Sequence, residues 1–132
     1  MAAEAVQVEG PYEAHDFTVA DGAGIPQNTL CQLTSPRTAT ASSGGTDVWA
    51  GIAATEKVAS NGVTELGLFT TGIWLLTNSG LAITDGSLVS ISGSNLIKSA
   101  TAGEILTGDV IGKALQDIAP DAQGEVRVGA LA

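Results

Sequence analysis

A chain of 132 residues with 14 Asp+Glu against 5 Lys+Arg carries a net charge of −9 at pH 7. Such a surface repels phosphate backbones and anionic headgroups, which excludes nucleic-acid binding by counterion release and argues against a membrane surface. Hydrophobic residues make up 44% of the chain but aromatics only 4%, beside 17 glycines, so a core must come from Val, Ile, Leu and Ala between facing strands: an all-β composition.

Residues 1–16 read as a separate, flexible acidic arm. Glu4, Glu9, Glu13 and Asp16 fall in it without a base, and Gly10-Pro11 biases its middle to extended backbone. Val6, Val8 and Tyr12 would let this arm add a strand to a partner sheet, with Glu4 among its contacts. Met1-Ala2-Ala3-Glu4 lacks the basic and apolar regions of a secretory signal. Strands are predicted at Phe17-Thr18-Val19 and over Thr29–Thr34, closed by Ser35-Pro36; Thr38–Thr46 is small and polar and reads as a loop that includes one edge strand. Val48–Val58 and Val63–Phe69 flank Ser60-Asn61-Gly62, and Asn-Gly is a strong hairpin signal because both residues accept positive φ. Ile73–Leu76, Ser87–Ser92 and Leu96–Lys98 follow as strands, with Ala100–Gly108 a loop that includes a short helical turn. Val110–Ile118 and Glu125–Leu131 repeat the hairpin, with Val126 and Val128 on one face and Glu125 and Arg127 on the other. About ten short strands with frequent turns predict a compact barrel or sandwich over residues 17–132.

The chain also repeats internally. Ile25–Thr34 returns as Ile83–Ser92, Asp47–Ala53 as Asp109–Ala114, and Glu65–Leu68 as Glu125–Val128, always at a separation of about 60 residues. Repeat one covers about 17–70 and repeat two about 73–131; units this small share a core rather than fold alone.

Little in the chain suggests chemistry. His15, the one histidine, sits at the end of the arm and has no second histidine or cysteine cluster to complete a transition-metal site. A Ser-His-Asp triad would have to run through it, on a segment that is not preorganised. Carboxylates are scattered rather than set in a calcium loop, and the Gly-rich pieces lack the Lys-Ser/Thr of a phosphate cradle. Cys31 falls in an alternating strand pattern and reads as a buried small hydrophobe. No catalytic residue, cofactor or metal is expected. Trp49 and Trp74 are the two large anchors, each serving either the core or a subunit interface; Trp49 has only Ile111 opposite it in the second repeat and is the stronger interface candidate.

The order Gly51-Ile52-Ala53, the Asn-Gly turn, Glu65-Leu66-Gly67-Leu68, Thr71-Gly72-Ile73-Trp74, Ala82–Val89, Ile111–Leu115 and Glu125–Val128 resembles the capsid decoration (cement) proteins of tailed bacteriophages. Val48–Leu76 is similar to the lambda-type head decoration family. The resemblance covers about residues 17–131 and rests on spacing and residue type, not on a chemical motif. It implies a homotrimer on the outer surface of an expanded icosahedral capsid, assembled in the host cytoplasm, that clamps neighbouring major capsid protein subunits. It further implies an N-terminal arm, here residues 1–16, that is mobile when free and orders on the shell. An alternative expectation is a virion- or cell-surface module that attaches to a receptor or glycan. The sequence leaves two readings of the acidity: plain solubility, or fitness for a basic partner or a salty habitat.

Overall fold

The computed structural model describes residues 4–10, 14–44 and 47–129. In chain order the described elements are β1 (Val6–Glu9), β2 (Ala14–Thr18), β3 (Leu30–Ser35), β4 (Thr38–Ala41), β5 (Trp49–Ala53) and β6 (Glu65–Phe69). They continue with β7 (Gly72–Asn78), β8 (Leu88–Gly93), β9 (Leu96–Ser99), α1 (Ala102–Thr107), β10 (Val110–Ala114) and β11 (Gln123–Val128). The strands β2-β4-β3-β5-β6 form one closed barrel. In the same way β7-β9-β8-β10-β11 close a second, with β1 laid on the outside of β7. The two rings share one topology, down to a parallel closing pair in each, Thr18↔Thr38 and Thr77↔Leu96.

Alternation drives this architecture. Leu66 and Leu68 of β6, Trp74 and Leu76 of β7, and Val126 and Val128 of β11 are all buried, while their neighbours Glu65, Leu75 and Arg127 are not. Strands of period two with one apolar face close into a barrel because closure buries that face and removes unpaired edges. The all-β barrel expected from composition is therefore the observed fold, with eleven strands among the described residues.

The finer expectations need four corrections. Thr38–Ala41, read as an edge strand within a loop, is a barrel stave with β3 and β2 on its two sides, since Ala39 is 2% exposed and faces inward between polar neighbours. The Asn61-Gly62 segment is not a tight hairpin: β5 ends at Ala53 and β6 starts at Glu65, and between them Lys57 bridges back to Ile25. The repeats align differently at their ends. Pairing of Ala53 with Leu68 and of Ala114 with Val126 sets Leu68 against Val126, so Glu65–Leu68 corresponds to Gln123–Val126 rather than Glu125–Val128. Likewise Trp49 pairs with Gln32 as Val110 pairs with Ser90, which makes Val110 and not Ile111 its counterpart, and Val48 that of Asp109. Extra residues around Asn61-Gly62 shift the register. Lastly, the boundary at residue 16 cuts through β2, and residues 4–10 do not stand apart from the domain: Ala5 is buried and its N–H donates to the Asn28 carbonyl at 3.4 Å.

Among the described elements, helix α1, like β1, has no counterpart in barrel one. Thr101 and Glu104 form a reciprocal capping box, and Gly108 closes the helix at φ 81°. Glu104 is buried and its Oε2 lies 3.0 Å from Lys98 Nζ. Burial pulls its carboxyl upward, but the Thr101 N–H and the Lys98 ammonium outweigh it and hold the group below its ordinary range. A depressed folded value stabilises the fold above the unfolded value and ceases to do so as pH falls through the folded one. Urea denaturation should therefore show wild type more stable than Glu104→Gln near about pH 7, with the gap closing toward about pH 3. A gap that widens on acidification would contradict this anchoring.

Candidate functional site

Residues 4–9 of the arm lie across both barrels. Gln123 Nε2 of barrel two donates to the Glu4 carbonyl at 3.1 Å, and the buried Ala5 is tied to Asn28 of barrel one. From there β1 runs antiparallel along β7, with Val6 opposite Leu75 and Gln7 opposite Trp74, and a bulge before Glu9. Every barrel strand has a neighbour on each side, although β2 meets β4 only at Thr18↔Thr38; β1 is paired on one side only, so its other edge is free along the whole strand. All four of its residues are exposed, with Val6 and Val8 each 41% accessible, and Glu4 is exposed just before it. A free edge carrying solvent-facing valines is the arrangement that another chain extends by strand addition. Of the four arm residues singled out in the sequence, the structure thus brings Glu4, Val6 and Val8 together; Tyr12 lies outside the described residues.

The two tryptophans divide differently from expectation. Trp74 is 0% exposed on the inside of β7, its Nε1 donating to the Thr71 carbonyl at 3.1 Å. Its area is spent within the chain's own core, so it offers nothing to a second subunit. Trp49 is half-buried and packs, with Phe69, against the core of barrel two. Its backbone N–H reaches the Gly108 carbonyl at 3.1 Å. It is therefore an interface residue, but between the two barrels of one chain.

That junction is the largest feature the sequence did not reveal. Leu30 and Ile52, both 0% exposed, point outward from barrel one into the core of barrel two. Phe69 meets Trp74 with ring centroids 6.0 Å apart. Asn95, in the β8–β9 turn, accepts from Leu30 N at 2.8 Å, and its own N–H donates to Ser42 Oγ at 3.0 Å. Gly129 comes so near Thr70 that an added Cβ would lie 2.4 Å from its carbonyl oxygen. The available signal was a contrast between repeats: Ile52 and Phe69 of barrel one correspond to Lys113 and Arg127 of barrel two.

The polar groups serve structure. Lys57 is 2% exposed, and its Nζ donates to the Asp21 carbonyl (2.9 Å), Asp21 Oδ1 (3.3 Å), the Val58 carbonyl (2.7 Å) and Asn61 Oδ1 (2.9 Å). Asp47 accepts from Ser43 N and Gly44 N at 2.7 and 3.1 Å, closing a loop. Cys31 is fully buried, and that burial pushes its thiol up to about 12, which keeps it protonated and inert. His15 is exposed on β2, opposite Leu68. Among the described residues no three His, Cys, Asp or Glu side chains gather as a metal site would require, and no described helix is long and apolar enough to cross a membrane. A shallow cleft of about 340 Å³ opens where β1, β7 and β11 meet, bordered by Glu9, Thr71, Ile73 and Arg127. It holds one base and one acid on opposite rims, without a nucleophile-base pair. No protein-family model matches the chain, and no curated protein matches it with significant similarity.

Proposed function

We propose that the chain is a structural, non-catalytic virion protein that binds the outside of an expanded icosahedral capsid and stabilises contacts between major capsid protein subunits. The observation that supports this reading best is the free edge of β1. Beside the two closed barrels, β1 keeps a whole edge able to accept another strand, and it lies at the N-terminal arm where the resemblance to decoration proteins puts the clamp. The cage around Lys57 and the inter-barrel hydrogen bonds fit a rigid block whose task is to hold position. Many copies, each adding one short strand, would brace a shell cumulatively without any strong single contact. Because Val6–Glu9 are already paired with β7, docking through them costs little chain ordering compared with a disordered segment. The net charge of −9 favours a landing site with basic residues.

The test is co-sedimentation with expanded, undecorated shells of the source virus. Saturable binding by the full chain is expected. A Val6→Lys/Val8→Lys variant, with an unchanged thermal melt, should bind at least about tenfold more weakly, because edge lysines block strand addition. Equal binding by that variant would take the contact away from β1. Absence of binding by the full chain would remove the capsid reading and favour a surface module for receptor or glycan attachment.

A further inference from the structure

The cage around Lys57 holds more polar groups than closing a barrel demands. In barrel two the matching end is tied by one amide, that of Asn78. Ile118 stands there in the place of Lys57, since Ile25↔Lys57 and Ile83↔Ile118 are equivalent bridges. Barrel one has instead Lys57, Asp21 and the added residues around Asn61-Gly62. In an Asn-Gly pair the main-chain nitrogen reaches the preceding side-chain amide carbon with least hindrance, because glycine brings no Cβ to crowd it.

Every group that such an attack requires is in place. The nucleophile is Gly62 N, whose N–H donates to Asp21 Oδ1 at 2.7 Å; a carboxylate at that distance is placed to take the proton. The electrophile is Asn61 Cγ. Its oxygen, Oδ1, accepts from Lys57 Nζ at 2.9 Å and from Val63 N at 3.0 Å. A cation and a main-chain amide thus stand where negative charge develops when the carbon is attacked. Asp21 is itself held, its carbonyl accepting from Ser60 N at 2.7 Å and from Lys57 Nζ at 2.9 Å, so base and oxyanion donors are fixed before any reaction begins. Gly62 has open space where a Cβ would stand. Asn61 and Gly62 are both exposed, which lets water enter and ammonia leave.

We propose that Asp21, Lys57, Asn61 and Gly62 form a self-modification site that converts the Asn61 amide to an acid through a cyclic imide. Gly62 N bonds to Asn61 Cγ as its proton passes to Asp21, and the carbonyl electron pair moves onto Oδ1. When that pair returns, the Cγ–Nδ2 bond breaks and Nδ2 leaves as ammonia, taking the proton back from Asp21. Water then adds to the imide, one ring C–N bond breaks, and the nitrogen recovers a proton from the attacking water. The sum is one water consumed and one ammonia released, with no change of oxidation state. Lys57 and the Val63 N–H polarise the Cγ carbonyl and direct water to it. Breaking the Cγ–N bond restores the ordinary backbone with an aspartate, whereas attack at the main-chain carbonyl gives isoaspartate. The new carboxylate meets Lys57, whose buried ammonium gains a charged acceptor in place of a neutral one. The folded chain thereby tightens its own cage. The reaction needs no partner, so it and the capsid reading can fail separately.

The test is to incubate the full chain natively and in concentrated guanidinium chloride, at one pH and temperature. Mass spectrometry of the peptide containing Asn61 follows the change from amide to acid and the ratio of aspartate to isoaspartate. The native chain should convert at least about tenfold faster than the unfolded one, with a larger share of aspartate. Asp21→Asn, which keeps an acceptor oxygen but is no base, should slow native conversion at least about tenfold, and Asp21→Glu should recover part of the rate. Native conversion no faster than in denaturant would overturn the proposal, and that comparison requires no variant to fold. So would an Asp21→Asn protein with an unchanged melt that converts at the wild-type rate, or a native product ratio equal to that of the unfolded chain.

Discussion

Gly112→Ala is expected to abolish the second barrel. A Cβ at this position would lie 2.0 Å from the Arg127 carbonyl oxygen and 2.9 Å from Val128 Cα. Both are backbone atoms of the strand that pairs with β10, so no side-chain rotation relieves the clash. Either β10 separates from β11, which opens the ring, or the strand leaves its register. A cost of about 4 kcal/mol or more is a large share of the 5–15 kcal/mol that holds a domain of this size together. Gly51, the counterpart in barrel one, meets Leu68 Cβ at 2.8 Å and the Phe69 carbonyl at 2.9 Å; Gly51→Ala should destabilise less than Gly112→Ala but in the same way. Gly103 provides the control, since an added methyl there meets nothing within 4 Å, and Gly→Ala inside a helix is neutral or stabilising by up to about 1 kcal/mol. Urea denaturation of the three variants checks the order. A folded Gly112→Ala protein with a wild-type midpoint would show that the two backbones can move apart at little cost.

How much of this was legible in the sequence depended on how locally each feature is encoded. The alternation in Glu65–Phe69 and Gln123–Val128 is carried by adjacent residues, and the structure follows it. The repeat was legible from Ile25–Thr34 and Ile83–Ser92, whose bridges Ile25↔Lys57 and Ile83↔Ile118 recur in both barrels. Its ends were misaligned because barrel one carries additional residues around Asn61-Gly62, and matching Glu65 to Glu125 preserved residue type while breaking register. The β4 stave was legible only as an edge strand within a loop because Thr38-Ala39-Thr40-Ala41 has only alanines on its inner face; in the narrow barrel they suffice. The arm looked like a tail because what holds it, Asn28 and β7, is remote in sequence and leaves no periodic signature. The edge itself can be seen only once closure of both rings places every barrel strand between two neighbours and leaves β1 outside them.

The least legible feature was the exchange of polar and apolar roles at matching positions of the two barrels, and it supports a second large effect. In barrel one the buried base Lys57 ties its own segment to Asp21 and Asn61, while Val19, at the end of β2, is 2% exposed and apolar. In barrel two the arrangement is inverted. Ile118 stands in the place of Lys57, and Asn78, in the place of Val19, donates through Nδ2 to the Leu81, Ile118 and Ala119 carbonyls at 2.8, 3.2 and 3.3 Å. Each barrel thus has one polar tether and one apolar partner at the same end, drawn from opposite strands. Lys57→Ile alone strips the cage of its only cation and leaves the Val58 carbonyl without its donor, while Asn61 Oδ1 keeps only the Val63 N–H. The expected loss is about 3 kcal/mol, the low end for breaking a buried pair because Asp21 remains partly solvated. Val19→Asn alone buries an amide beside a lysine that already holds the nearby acceptors, at a cost of about 2 kcal/mol. In the double variant the amide can bind the carbonyls that the lysine has vacated, as Asn78 does, and the losses should fall short of their sum by at least about 1 kcal/mol. A double-mutant cycle by urea denaturation measures that coupling. Strict additivity would mean that the two barrels close by unrelated means. A positive coupling would show that one closure solution, written with lysine in one copy and asparagine in the other, survived the divergence of the two repeats.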